Sequence, residues 1–311
     1  MSPIKTYTVT EPYVKLSCSL GEGPFWEEAT NTVRFVDIVK CNVHSIDLNK
    51  GPSSHKILGN LDISIGVTAD IEGNDEEFVF GGKHGFGIFN RSTAQYRYIK
   101  KAWAEEEIAA GKDKTMRAND GAVDSQGRFW VGYMNDPLVK DPGADRATGV
   151  LFRLDPDLSL HRILEGVTIP NGTTWSPDDK TMYFADSTTS NIYAFDFDSV
   201  SGSISNKRVF FSTAGMGEGV VPDGHCIDEE GYMWTAIHGN GKVVRVSPEG
   251  EVVAEITLPT PSVTCPAFAG EELFITTAGG DESDPSSLAG SVFRVHVGVK
   301  GMKLHRFRMM A

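Results

Sequence analysis

The sequence has no Cys-x-x-Cys pair, no run of 18 apolar residues and no cluster of Lys or Arg longer than two. Its four cysteines, Cys18, Cys41, Cys226 and Cys265, lie far apart, which supports neither a disulfide framework nor a zinc ribbon. Without a long apolar run there is no candidate for a membrane-spanning helix. The stretch Met1-Ser2-Pro3-Ile4-Lys5-Thr6-Tyr7 lacks the apolar core of a leader peptide. A reduced, cytoplasmic location is the resulting expectation. The net charge of −13, with no basic footprint, excludes nucleic acid and anionic membrane surfaces as partners. Helical periodicity is scarce too. Only residues 102–111 carry it, and they read as a surface insertion forming a brief helix or a loop.

What is present instead is glycine, 33 residues of it, and a repeated phrase in which a polar turn precedes an alternating aromatic run. The phrase occurs at 28–37, 72–80, 124–132, 176–185, 228–236 and 270–276. Two copies show its shape: Asp124-Ser125-Gln126-Gly127-Arg128-Phe129-Trp130 and Asp228-Glu229-Glu230-Gly231-Tyr232-Met233-Trp234. Neighbouring copies stand about 40 to 53 residues apart, the length of a propeller blade. Each copy is preceded and followed by a short period-two strand, such as Asn191-Ile192-Tyr193-Ala194-Phe195-Asp196. The pattern predicts an all-β chain: a six-bladed β-propeller with four-stranded antiparallel blades, one domain over residues 1–311.

In a propeller the innermost strand of each blade starts beside the central channel. In register, the six starts are Glu22-Gly23, Val67-Thr68, Asp120-Gly121, Asn171-Gly172, Asp223-Gly224 and Cys265-Pro266. Four of them place an oxygen donor directly before glycine. Glu22, Asp120 or its neighbour Asn119, Asn171 and Asp223 are therefore expected to meet at one end of the channel. Converging carboxylate and amide oxygens repel unless a cation lies among them, and such donors suit Ca²⁺, Mg²⁺ or Mn²⁺, with Zn²⁺ also able to accept carboxylates. Any one of these dipeptides alone would pass for a turn; four at one phase of a repeat point to a site. Arg117, two residues before Asn119 and so on the same side of the strand, brings a donor fork suited to hydroxyl or carbonyl oxygens. His225 reads as a core or supporting residue, and Cys265 as a small buried hydrophobe.

Four motifs in order carry a resemblance. Gly21-Glu22-Gly23-Pro24-Phe25-Trp26, Arg117-Ala118-Asn119-Asp120-Gly121, Pro170-Asn171-Gly172 and Pro222-Asp223-Gly224 resemble the SMP-30/gluconolactonase/LRE family, from about Leu20 to Val295. The resemblance implies one divalent cation, with Glu22, Asn171 and Asp223 as its ligands and Ca²⁺ ahead of Zn²⁺, Mg²⁺, Mn²⁺ or Fe²⁺. It implies that Arg117 and Asn119 contact substrate and that Asp120 is a supporting residue. The implied activity is that of a carboxylic-ester hydrolase opening a sugar-acid lactone to the aldonic acid, with Asp223 as general base. Hydrolysis of organophosphates or aryl esters at the same site, and a non-catalytic calcium-binding propeller, are the alternatives. The partner expected is a small sugar lactone, and the chain is expected to be a monomer or to self-associate weakly. Pro137 stands where some animal members carry an acidic lid residue, and the turn-rich stretch 136–145 is expected to form a lid.

Overall fold

The computed structural model describes residues 4–139 and 148–310. Six antiparallel sheets are arranged around a ring, so the chain is a six-bladed β-propeller. The inner strands are Gly21–Glu27, Ile65–Ile71, Met116–Val123, Pro170–Trp175, Val221–Ile227 and Val263–Ala269, for blades one to six. Each is followed by its second strand, and the aromatic phrase of every unit falls there. Phe35, Phe78, Phe80, Phe129, Trp130, Phe184, Trp234 and Phe274 are all essentially inaccessible to water. Their alternation with small or apolar residues lets facing blades interdigitate. Burying one such ring contributes about 2–3 kcal/mol, so the wedges between blades are the main source of stability.

The ring closes through the N-terminal segment. Lys5–Thr8 lies parallel to Val252–Thr257, the outer strand of blade five, as a fifth strand. Blade six has three regular strands, and Val14 completes its outer edge by a bridge to Val292. The opposite face carries a strap made of residues 301–310. Gly301 N donates to Gly270 O and Met302 N to Ile227 O. Further along, Phe307 N donates to Asp70 O, Glu72 N to Phe307 O, and Arg308 N to Gly127 O. The strap thus runs from blades six and five to blades two and three, and Phe307 is fully buried where it crosses.

Residues 102–111 form the surface insertion expected of them except at their first two residues. A five-residue helix, Glu105–Ala109, does form there, and a second short one, Lys112–Thr115, follows it. Ala102 and Trp103, however, are buried against Tyr133 and Phe152 of blade three. Residues 104–111 stay exposed or half-buried, and Trp103, just before the helix, anchors them to blade three. Of the stretch expected to be a lid, residues 136–139 begin as a turn, with Val139 N donating to Asp136 O; residues 140–145 lie outside the described residues.

Candidate functional site

All six inner strands carry a register shift near their starts: between Glu22 and Phe25, Ile65 and Val67, Ala118 and Gly121, Asn171 and Thr173, Pro222 and His225, and Val263 and Pro266. A bulge bends the strand and re-aims the side chains beside it. Here it occurs six times around one axis, at the very residues that the repeat places in phase. Gly172 and Gly224 serve close approach more than ligand clearance. A Cβ on Gly172 would strike the His225 ring, and one on Gly224 would strike Cys265. Those two glycines let neighbouring inner strands crowd the axis.

Glu22, Arg117, Asn119, Asp120, Asn171 and Asp223 are all buried. A hydrogen-bonded chain joins three of them. Arg117 Nη1 donates to Asn119 Oδ1 at 2.8 Å, and Asn119 Nδ2 donates to Asn171 Oδ1 at 2.8 Å and to Pro170 O at 2.9 Å. Asn171 Nδ2 donates to Ser187 Oγ at 2.8 Å, and that hydroxyl donates to Pro222 O at 2.7 Å. Ser187 spends its proton on Pro222, so it accepts from Asn171. This fixes the Asn171 amide with its oxygen turned toward Asn119.

The carboxylates sense one another without sharing protons. Burial first, and then the charges of Asp223 and Asp120, push the Glu22 carboxyl well above the usual range. Burial and the Asp120 charge do the same to Asp223, and burial raises Asp120 to about 6. Glu22 Oε2 accepts from Gly23 N at 3.0 Å and Asp120 Oδ1 from Gly121 N at 2.6 Å. Asp223 Oδ1 is buried without a hydrogen-bond partner, while Oδ2 lies 3.5 Å from His238 Nδ1. A buried carboxylate oxygen left unpaired is costly. Beside other anions it is a place that a cation would stabilise. Among the described residues no three His, Cys, Asp or Glu side chains close on a common point, so a donor set here needs the Asn171 amide as a member. Glu22, Asn171 and Asp223 fit a hard divalent cation on these grounds. Asp120 stands beside them with the same local bond that Glu22 makes, one oxygen accepting from its own neighbour's N–H.

Cys265 is buried, and burial followed by the Asp120 and Glu22 charges pushes its thiol well up. It is packing, not a nucleophile. His225 is also buried, with neither ring nitrogen hydrogen-bonded, and burial pulls its pKa down to about 3. The unfolded chain titrates near ~6.5 and therefore takes up the proton first as the pH falls. Stability owed to the neutral ring is complete above about pH 6.5 and is lost progressively down toward about 3. His225→Gln is expected to flatten the dependence of unfolding free energy on pH between 4 and 7. Urea titrations at several pH values would measure it, and a slope equal to the wild type's would show that His225 is not responsible.

Sequence reasoning looked only at the starts of inner strands and missed Ser187, His238, Asp136 and Lys83. Each closes, or directly follows, the second strand of its blade. Antiparallel pairing sets those residues beside the first strand's start: Pro170 faces Asp186, Val221 faces His238, and Met116 faces Asn135. The residue that ends or directly follows each second strand was therefore a usable signal.

Comparison with known proteins shows the family and the fold. Residues 20–279 match the model of the SMP-30/Gluconolactonase/LRE-like region. Regucalcin from Xenopus laevis is 33% identical over 319 residues, covering 97% of this chain and 98% of that protein. A luciferin-regenerating enzyme superposes with a TM-score of 0.82 at 29% identity, over 96% of this chain and 100% of the other. The structure of a calcium-binding protein, regucalcin from Agrobacterium tumefaciens, superposes with a TM-score of 0.85 at 23% identity, over 98% and 99% of the two chains, a likeness of fold. With its propeller and its phased channel residues, this chain belongs to the SMP-30/gluconolactonase/LRE family.

Proposed function

We propose that the protein hydrolyses a sugar-acid lactone to the aldonic acid at the mouth of its channel, with a divalent cation held by Glu22, Asn171 and Asp223. The observation that carries this reading is the unpaired, buried Asp223 Oδ1 standing in the same cluster as the Arg117–Asn119–Asn171 chain. The cation would supply Lewis acidity toward the lactone carbonyl and would neutralise the clustered carboxylates.

The chain's own residues do the remainder. Asp223 Oδ1, which has no proton donor of its own, takes the proton of the attacking water. Arg117 presents its remaining N–H donors to the ring oxygens and Asn119 the second lone pair of its Oδ1 to a ring hydroxyl, and because the two are tied together they hold the lactone in one attack geometry. Ser187 keeps the Asn171 oxygen turned inward throughout. Ca²⁺ is the first candidate ion, in line with the calcium-binding regucalcin structure.

A panel of aldonolactones, assayed after chelation and after return of Ca²⁺, Mg²⁺, Mn²⁺, Zn²⁺ or Fe²⁺, tests the reading. Chelation is expected to abolish hydrolysis of at least one lactone, and one of the ions is expected to restore it. No hydrolysis of any lactone with any ion would replace this reading with a cation-binding propeller that lacks turnover.

A further inference from the structure

Above the carboxylates, at the mouth, two cations converge on one anion. Asp136 directly follows the second strand of blade three, and Lys83 directly follows that of blade two. Lys83 Nζ lies 2.7 Å from Asp136 Oδ2, and Arg117 Nε lies 3.9 Å from Asp136 Oδ1. The side chains are 16%, 5% and 10% exposed for Lys83, Arg117 and Asp136, so water screens them poorly. The Asp136 carboxylate is itself clamped: Oδ1 accepts from Leu138 N at 3.1 Å, and its backbone N donates to Thr115 O at 2.7 Å. Lys83 is fixed at its base by its own N–H, which donates to Ser64 O at 3.0 Å.

Ammonium and guanidinium groups carry donors only. One carboxylate shared between two cations leaves one positive charge unmatched within this group of three, in a partly desolvated place. Both protons of Arg117 Nη1 are already committed, to Ala118 O and Asn119 Oδ1. Without the pull of Asp136 on its Nε side, the guanidinium would be drawn toward the Glu22 carboxylate, whose charge it also feels.

We propose that Asp136 is a positioning residue that fixes Lys83 and Arg117 as one cationic rim, and that this rim binds the oxygens of the lactone and the carboxylate of its aldonate product. This rests on the lactonase reading, with Lys83 as a substrate contact additional to Arg117 and Asn119. The rim recognises acceptors, so it favours ligands that are rich in hydroxyl oxygens or anionic.

Two measurements test it. Asp136→Asn keeps the side chain's shape and the oxygen that accepts from Leu138, and it removes only the charge. With the lactone that the panel selects, this variant is expected to raise KM about tenfold while kcat stays within about threefold. Asp136→Glu is expected to recover most of that loss. Lys83→Met is expected to raise KM a few-fold, and Asp136→Asn combined with it to be no worse than Asp136→Asn alone, because both act through one unit. A fall in kcat at constant KM, or additive effects, would overturn the rim. Calorimetric titration of the cation-loaded protein with sodium gluconate reads the same rim without turnover. The wild type is expected to bind about tenfold more tightly than Asp136→Asn, with a Kd ratio that follows the KM ratio. If no lactone is hydrolysed the lactonase reading fails, and the gluconate titration still decides the rim. Equal affinities, or no gluconate binding by the wild type, would sink it.

Discussion

Asp223→Asn is expected to lower kcat for the selected lactone by roughly a hundred- to ten-thousandfold, the usual contribution of a positioned general base. An asparagine in this place keeps an oxygen but has lost the capacity to accept a proton. It also removes one negative charge from a cluster in which Glu22 and Asp223 are each pushed upward by their neighbours. Glu22 should then ionise more readily, which works in favour of retaining a cation. The measurement pairs steady-state kinetics with the metal content of the purified variant. Lost turnover with the cation still bound assigns the base. Near-normal turnover with the cation bound would remove Asp223 from that role and leave it as a ligand only.

The second large effect concerns stability. Asp228 is inaccessible to water, and its carboxylate gathers four donors. Oδ1 accepts from Glu230 N at 3.1 Å and Tyr232 N at 3.0 Å; Oδ2 accepts from Trp234 Nε1 and Arg245 Nε, both at 2.9 Å. Asp228→Ala would strand the buried indole N–H and two backbone N–H groups. It would also leave Arg245, stacked 4.1 Å from the Tyr232 ring centroid, without its innermost anion. Breaking a buried pair from one side costs about 3–5 kcal/mol. Urea unfolding should show a much lower midpoint with an unchanged slope. A loss below about 1 kcal/mol would place the carboxylate among ordinary surface groups, contrary to its burial. Asp124 occupies the same place in blade three, where it accepts from Gln126 N, Arg128 N, Arg128 Nε and Trp130 Nε1. The device recurs because one turn does one job in both blades.

That recurrence explains how much of the molecule is legible without coordinates. Aspartate, glycine and an indole at fixed spacing mark a turn that must bury its polar groups. The period-two strands on either side then follow from the pleat. The phase of Glu22, Asn171 and Asp223 was visible for the same reason: a repeat puts equivalent residues at equivalent radii. The strand starts do not tell which way an amide points. The orientation of Asn171 depends on Ser187, 16 residues away, and on a carbonyl of the next blade. The hub of Lys83, Asp136 and Arg117 joins two blades, and no local pattern encodes a contact between side chains from separate repeats. Trp103 escaped notice because its burial is supplied by Tyr133 and Phe152, from a different unit.

The strap of residues 301–310 has a mechanical consequence. A hoop fastened only along its circumference can flatten into an oval, and any two points on it may drift apart. Blades two and five stand on opposite sides of a ring of six, and the strap is bonded to both, through Asp70 and Ile227. It acts as a spoke. Ile227 ends the strand that carries Asp223, and Gly127, which also holds the strap, follows the strand that carries Asn119. The spoke therefore ties together, on the face away from their starts, the ends of the strands that carry Asp223 and Asn119.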